Sequence, residues 1–277
     1  IDSISRDILS QRSGRGFVNR DLLETVLGNL LECVAPGSHN ALGTLPSLGL
    51  ASGIEEISNQ LYAMIAQSLL AADGKEKNLE TRALESTFGL LSELPALKKR
   101  ALWNRFASLK DPAVWDTYIT SQCGMEASQL GDIDFIQHIN TAIKHRNFDY
   151  YREFLKKKNL AGAFDYQLQL VISTYPGWRV LFYHNISHAL TQSGPVDSIP
   201  GIQRKPVPLL PRAISELGGR YYQADLHPET QIGDANFIEH PHRGLTTGQT
   251  GIIGSGCTLY PCTLGGISEK IKQRHPT

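Results

Sequence analysis

The pattern of apolar and polar positions predicts a chain that is helical up to about residue 191. Apolar side chains recur at three- and four-residue spacing in successive segments, which capping residues, glycines and prolines separate. Asn19 is placed to cap the first helix, and Ser52 with Glu55 has the form of a capping box for the second. Pro95 suits the first turn of the fourth helix, which is predicted to stop near Asp111-Pro112. Leu84, Phe88 and Leu91 are predicted to face inward from the third. The predicted helices cover about 19–34, 52–72, 76–93, 95–111, 112–122, 132–145, 147–158 and 175–191.

Beyond residue 225 the apolar positions follow a different period. Aliphatic residues recur six apart at Leu226, Ile232 and Ile238, and again at Ile253 and Leu259. This step is too long for a helical stripe and too sparse for ordinary strand alternation. It favours a triangular solenoid of short strands, with one aliphatic side chain per face pointing inward and glycine accepting the corner dihedrals. The alternative is a set of loop-rich strands whose spacing is accidental.

Composition narrows the classes of function. The 277 residues are 41% hydrophobic, and 27 basic residues balance 27 acidic ones. No basic stripe indicates nucleic acid, and no apolar run is long enough to predict a membrane span. The four cysteines lack the spacing of a metal or redox motif, which favours free thiols in the cytoplasm. His184 and His188 lie four apart on a predicted helix, but no third ligand is apparent. We therefore interpret them as a surface or subunit-contact pair and predict no metal.

An ordered series of short motifs lies within the six-residue repeat. The motifs are Phe237-Ile238-Glu239-His240, Gly244–Thr250, Ile252-Ile253-Gly254, Thr263-Leu264-Gly265-Gly266 and Arg274-His275-Pro276-Thr277. In this order and spacing, the series resembles the serine O-acetyltransferases, hexapeptide-repeat acyltransferases with a left-handed β-helix that make O-acetylserine for cysteine synthesis. The resemblance covers roughly residues 165 to 277, including the approach Tyr175-Pro176-Gly177.

The resemblance implies an α + β chain of three parts. Residues 1–145 would form an all-helical domain, 146–224 a helical bridge and linker, and 225–277 a left-handed parallel β-helix that carries catalysis. The first part is longer than the family's helical region. We expect it to pack subunits together or to bind another protein.

Transfer of an acetyl group to a serine hydroxyl needs a base and a group that holds the base. The family uses an Asp-His pair, to which Glu239-His240 corresponds here, so we predict His240 as the general base and Glu239 as its partner. The chain has one extra residue before Gly244, which must bulge at a corner and leaves His242 as a rival base. Gln249 stands where the family commonly has glutamate, so a different acceptor is possible.

Further roles also follow from the resemblance. Arg274 would bind the substrate carboxylate in a two-pronged contact and His275 would support it. Asp165 is the nearest equivalent of a helical-domain aspartate that holds the serine amino group. The backbone at Leu264, Gly265 and Gly266 would meet the pantetheine arm of acetyl-CoA, the predicted cosubstrate.

The expected partners are L-serine, acetyl-CoA and further copies of the chain. A donor groove between neighbouring solenoids implies a homotrimer or a dimer of trimers. The family continues past its Arg-His-Pro with further coils and a tail that docks cysteine synthase, whereas the displayed sequence stops at Thr277. Two alternatives therefore remain open: a hexapeptide acyltransferase with another amino acid or a sugar as acceptor, and a non-catalytic assembly or regulatory protein.

Overall fold

A computed structural model describes residues 19–36, 49–72, 78–124, 132–196, 199–269 and 272–276. Most of these residues are helical, and the last part consists of short parallel strands. The helices are α1 (Arg20–Val34), α2 (Gly49–Ala72), α3 (Leu79–Ser92), α4 (Leu94–Ala107), α5 (Pro112–Tyr118), α6 (Asp132–His145), α7 (Phe148–Lys157), α8 (Ala163–Thr174), α9 (Gly177–Ala189) and α10 (Leu210–Tyr222). The strands are β1 (Gly194–Pro195), β2 (Gln203–Arg204), β3 (Ala224–Leu226), β4 (Gln231–Ile232), β5 (Phe237–Ile238), β6 (Leu245–Thr247), β7 (Ile252–Ile253), β8 (Thr258–Leu259) and β9 (Cys262–Leu264).

The starts of two helices agree with the predictions made from local sequence. Asn19 caps α1, and its side chain accepts a hydrogen bond from the backbone N–H of Leu22 at 3.2 Å. Pro95 lies in the first turn of α4, where its missing N–H has no helical acceptor to lose. The predicted capping box is wrong, because α2 begins at Gly49 and Ser52 lies inside the helix.

Two predictions about buried faces are corrected by the structure. Leu84 and Phe88 are each 44% exposed, while Ala83, Thr87 and Leu90 are buried. Small residues on α3 permit a close helix contact, so the core side of this helix is not its bulkiest side. His184 is 2% exposed, so it does not lie at a surface, although its ring does stack on that of His188 with centroids 5.6 Å apart.

The last part of the chain is a three-faced solenoid of parallel strands. Strands β3, β6 and β9 stack in one sheet, β4 and β7 in a second, and β5 and β8 in a third. Between the first two coils the stacked residues are 21 apart, with Ala224 beside Leu245 and Gln231 beside Ile252. The step from β6 to β9 is shorter, with Leu245 beside Cys262. A coil with three faces produces three such parallel sheets, because each turn adds one strand to each face.

The six-residue repeat forms the interior of this coil, as predicted. Leu226 is 3% exposed, Ile232 6%, Ile238 2% and Ile253 8%, and they share one core cluster with Leu245. Leu259 is partly buried and packs against the same cluster. Each face therefore buries one aliphatic side chain, which contributes about 2 kcal/mol relative to exposure in water.

The prediction that glycine accepts the corner dihedrals is confirmed at Gly244 and Gly256 but not at every corner. Positive φ angles occur at Ala235 and Gly256, not at the glycines that directly follow Ile232 and Ile253. Gly233 is needed for a close approach instead, because a Cβ there would lie 2.5 Å from Oγ of Ser255. Neighbouring coils therefore meet at this corner without room for a side chain.

Asn236 ties this corner of the two coils together. It is fully buried, and its Nδ2 donates to the carbonyl oxygens of Gly233 at 3.0 Å and Gly254 at 2.9 Å. Its Oδ1 accepts from the N–H of Cys257 at 2.7 Å. Its own N–H donates to Oδ1 of Asn104 in α4, which anchors the corner to a helix.

The chain forms two compact units. One contains Ile1–Leu97 with Tyr183–Gly218, and the other contains Lys98–Phe182 with Gly219–Thr277. Their limits differ from the boundaries at 145 and 224, so that three-part division stays a prediction. None of the helices in the described ranges combines the length and apolar content that a membrane span needs.

Candidate active site

Glu239 and His240 lie at the corner that follows β5. His240 has a left-handed backbone, with φ 49° and ψ 50°, and a 3₁₀ turn over Pro241–Arg243 follows it. This turn accommodates the longer connection, and Gly244 then enters β6 with φ 95°. Nε2 of His240 lies 3.4 Å from Oε1 of Glu239. The side chain of His240 is 62% exposed and that of Glu239 is 25% exposed, so solvent and ligands can reach the ring.

His242 is near the pair but is not in contact with the carboxylate. Its side chain is exposed, and its ring centroid is 5.8 Å from that of His240. The carboxylate of Glu239 is instead within ion-pair distance of His240. Of the two histidines, His240 is therefore the one that has an acidic partner.

Two tyrosines and a second carboxylate surround Glu239. Its negative charge raises the pKa of the Tyr260 phenol, and a hydrogen bond between the two side chains adds to this effect. Burial raises the pKa of Tyr175, and so do its hydrogen bond to Asp111 and the charges of Asp111 and Glu239. The phenol of Tyr175 donates to Oδ2 of Asp111 at 2.8 Å. The corner is therefore acidic, with both tyrosines held neutral.

The second carboxylate at this corner belongs to Asp111, and the role predicted for Asp165 stays a prediction. Asp165 lies exposed in the first turn of α8, and within the described residues no hydrogen bond or ion pair links it to Glu239 or His240. Asp111 caps α5 through Oδ1, which leaves Oδ2 for Tyr175. The sequence showed Asp111-Pro112 only as a helix stop, and nothing in its spacing linked it to residue 239.

The predicted clamp residues lie on the last described segment. Residues 272–276 lie beside the second coil and follow its direction: Arg274 meets Thr250, and the N–H of Ile252 donates to the carbonyl of Pro276 at 3.1 Å. The N–H of Ile267 donates to the carbonyl of Arg274 at 2.9 Å. The side chain of Arg274 is exposed, and His275 is half-buried. The segment therefore presents the guanidinium at the surface and fixes the imidazole.

The predicted donor-binding residues lie at the end of β9 and directly after it, where the third coil begins. Leu264 pairs with Thr247 at the end of β9 and is half-buried, while Gly265 and Gly266 are exposed. A Cβ on Gly266 would lie 2.7 Å from Nε2 of His275. The structure thus brings Gly266 and His275 together.

Gln249 does not remove all negative charge from its surroundings. Its Nε2 donates to Oε2 of Glu229 at 2.7 Å, across neighbouring coils. In place of the glutamate that the resemblance led us to expect at 249, the chain therefore has a glutamine that is paired with an acidic residue one coil earlier.

The site residues fall into two groups within one chain. Glu239 and His240 form one group with Asp111, Tyr175 and Tyr260. The other group consists of Arg274 and His275 with Gly266. Among the residues that the structure describes, no hydrogen bond, ion pair or ring contact joins Glu239 or His240 to Arg274 or His275.

Part of the chain is similar in sequence to known serine acetyltransferases. No protein-family model matches the chain. Over 108 residues it is 35% identical to a serine acetyltransferase of Synechococcus elongatus, an alignment that covers 39% of each chain. It is 34% identical over 108 residues to a serine acetyltransferase of Bacillus licheniformis, covering 39% of this chain and 44% of the relative. The matched part thus spans about two fifths of the length of these curated relatives.

Solved structures extend the likeness to almost the whole fold. Serine acetyltransferase isoform 3 of Entamoeba histolytica, solved in complex with cysteine, superposes with a TM-score of 0.55 at 18% identity, covering 99% of this chain and 75% of that one. Serine acetyltransferase 1 of the same organism, in complex with L-cysteine, gives 0.51 at 20% identity, covering 88% and 64%. At these identities the likeness concerns the fold. The chain therefore has the fold of these serine acetyltransferases, and 108 of its residues are similar in sequence to curated serine acetyltransferases.

Proposed function

We propose that the chain transfers an acetyl group from acetyl-CoA to the hydroxyl of L-serine, with His240 as the general base. The observation that carries the proposal is the exposed imidazole of His240 with the Glu239 carboxylate 3.4 Å from its Nε2. A carboxylate beside one ring nitrogen fixes the tautomer and stabilises the imidazolium that forms. The relationship to serine acetyltransferases supplies the reaction class.

The reaction follows from this geometry. Because Glu239 faces Nε2, Nδ1 of His240 takes the proton of the acceptor hydroxyl as its oxygen attacks the thioester carbonyl carbon. The tetrahedral intermediate then collapses, the carbon–sulfur bond breaks, and the imidazolium returns the proton to the leaving thiolate. The products are O-acetylserine and free CoA. Arg274 binds the serine carboxylate, and the acidic corner of Glu239 and Asp111 attracts its ammonium group.

The handedness of the coil, the binding of acetyl-CoA and the cellular compartment are inferred from the resemblance to serine acetyltransferases. We infer that the coil is left-handed and that the glycine-rich backbone after Leu264 lies against the pantetheine arm, where Gly265 and Gly266 permit close approach. All four cysteines are free thiols, which suits a reducing cytoplasm.

The site is proposed to be shared between copies of the chain. Within one chain, His240 and Arg274 lie in groups that no described contact joins, so a site that uses both draws them from neighbouring protomers. A cyclic trimer provides such head-to-tail contacts.

Release of free thiol from acetyl-CoA in the presence of amino acids and sugars tests the proposed reaction. We expect a serine-dependent rate that His240→Ala abolishes and that His242→Ala retains. If thiol release depends on another acceptor and not on serine, that acceptor is the substrate and serine is not. Activity of His240→Ala equal to that of the parent would refute the assignment of the base.

Mixing two inactive variants tests the shared site. His240→Ala and Arg274→Ala are co-expressed and assemble at random in equal amounts. About one quarter of the shared sites should then be intact, because each of the two contributing protomers has about one chance in two of supplying its unaltered residue. No recovery in a verified mixed oligomer would place both residues in one protomer's site.

A further inference from the structure

The tautomer of His275 can be deduced from the hydrogen bonds around Thr250. Thr250 lies half-buried between β6 and β7, one coil beneath the last described segment. Its hydroxyl oxygen accepts from the N–H of Arg274 at 3.1 Å and from the N–H of His275 at 3.2 Å. A hydroxyl has two acceptor lone pairs and one proton. Both lone pairs are therefore occupied by groups that can only donate.

The proton of the Thr250 hydroxyl then has one partner within reach. Nδ1 of His275 lies 2.8 Å from the hydroxyl oxygen, and the backbone N–H of Thr250 is directed at the same nitrogen at 3.3 Å. A backbone N–H cannot accept, so Nδ1 must be the acceptor in both contacts. The neutral ring consequently carries its proton on Nε2.

The ring is also fixed in place by glycines. A Cβ on Gly248 would lie 1.7 Å from Nε2 of His275, and one on Gly266 would lie 2.7 Å from it. Any other residue at Gly248 would push the ring away. Within the described residues, Nε2 has no hydrogen-bond partner, so its proton is available to a ligand.

We propose that Thr250 is a positioning residue that holds His275 as an Nε2–H donor, so that His275 can bind an acceptor oxygen but cannot serve as the base. The inference rests on the proposed function for its ligand, the carboxylate of the amino-acid acceptor that Arg274 also binds. In this tautomer Nε2 already carries a proton and the lone pair of Nδ1 is engaged. The base must therefore be another group, which agrees with the role of His240.

The tautomer can be measured without any activity assay. The intact chain is labelled with ¹⁵N-histidine, and two-bond ¹H–¹⁵N correlation spectra distinguish Nε2–H from Nδ1–H rings. The signal of His275 is identified by its loss in His275→Gln. We expect the Nε2–H pattern in the unaltered protein and in Thr250→Ser, and a mixture of tautomers in Thr250→Val. An Nδ1–H ring in the unaltered protein overturns the proposal whether or not any variant folds.

Kinetics separate positioning from mere stability. Thr250→Val should raise KM for the amino acid about tenfold, the effect of one hydrogen bond lost to a charged group, with a smaller change in kcat. Thr250→Ser should restore KM, and Thr258→Val, at an exposed threonine of β8, is the matched control. An unchanged KM in an active Thr250→Val refutes the positioning role. Absence of acetyl transfer in the unaltered chain refutes the proposed function instead, and leaves the tautomer result standing.

Discussion

Replacing Asn236 by alanine should destabilise the solenoid more than any surface change of similar size. The side chain is fully buried and makes three hydrogen bonds, to the carbonyls of Gly233 and Gly254 and from the N–H of Cys257. Alanine leaves these three backbone groups without their partner. At about 1 kcal/mol for each bond, the free energy of unfolding should fall by about 3 kcal/mol.

Tryptophan fluorescence is the suitable assay for this change. Trp103, Trp115 and Trp178 are the three tryptophans of the chain, all are buried, and all belong to the unit that contains the solenoid. In denaturant titrations the midpoint should fall, and the melting temperature should drop by roughly 5 to 10 °C. Asn140→Ala, at an exposed position of α6, is the control and should change little.

An aspartate at the same position sharpens the test. Asn236→Asp keeps an acceptor for Cys257 but places carboxylate oxygens against the carbonyls of Gly233 and Gly254. It should therefore be at least as destabilising as alanine. If Asn236→Ala lowers the free energy of unfolding by no more than the control does, the corner is not held by this side chain and the reasoning fails.

Three further predictions concern the site and the helical part. Glu239→Gln should lower kcat/KM about fivefold, because a unit charge 3.4 Å from the imidazolium of an exposed His240 contributes about 1 kcal/mol in a water-like dielectric; an unchanged kcat/KM would contradict this role. Tyr175→Phe should lower the free energy of unfolding by about 1 kcal/mol at pH 8, because the variant lacks the partly exposed hydrogen bond from the phenol to the carboxylate of Asp111. Its raised pKa means that the unfolded chain releases the phenol proton first, so this stabilisation is present below pH 10 and is lost as the pH rises above it; a difference between parent and variant that does not shrink on alkaline titration would refute the assignment. Phe88→Ser should change the melting temperature little, whereas Leu90→Ala should lower the free energy of unfolding by at least 2 kcal/mol, and circular dichroism melts compare the two. If Phe88→Ser destabilised the protein more than Leu90→Ala, the inward face of α3 would be the one predicted from the sequence.

The sequence predicted those features that depend on local chemistry. Asn19 caps α1, Pro95 opens α4, and the aliphatic residues six apart line the coil, because a cap, a ring-restricted φ and a fixed strand step each act within a few residues. The same holds for Glu239 and His240, which are neighbours in the chain and therefore neighbours in any fold.

Other features depended on which surfaces meet, and the pattern of a single segment did not contain them. Leu84 and Phe88 were expected inside because they are apolar residues at helical spacing, but the helix packs mainly through its small residues. The glycine after Ile232 was expected to relieve a dihedral, whereas Gly233 makes room for Ser255 one coil away.

The candidate site shows the same division. By itself, the sequence determined the repeat, the resemblance to serine acetyltransferases and the adjacent acid and imidazole at 239 and 240. Only the tertiary structure decided that Asp111 reaches the corner of Glu239, and that Thr250 meets His275 across 25 positions. The physical reason is that a solenoid stacks residues about one coil apart and packs them against distant helices, so the partners of a side chain are set by the stacking and not by its neighbours in the chain.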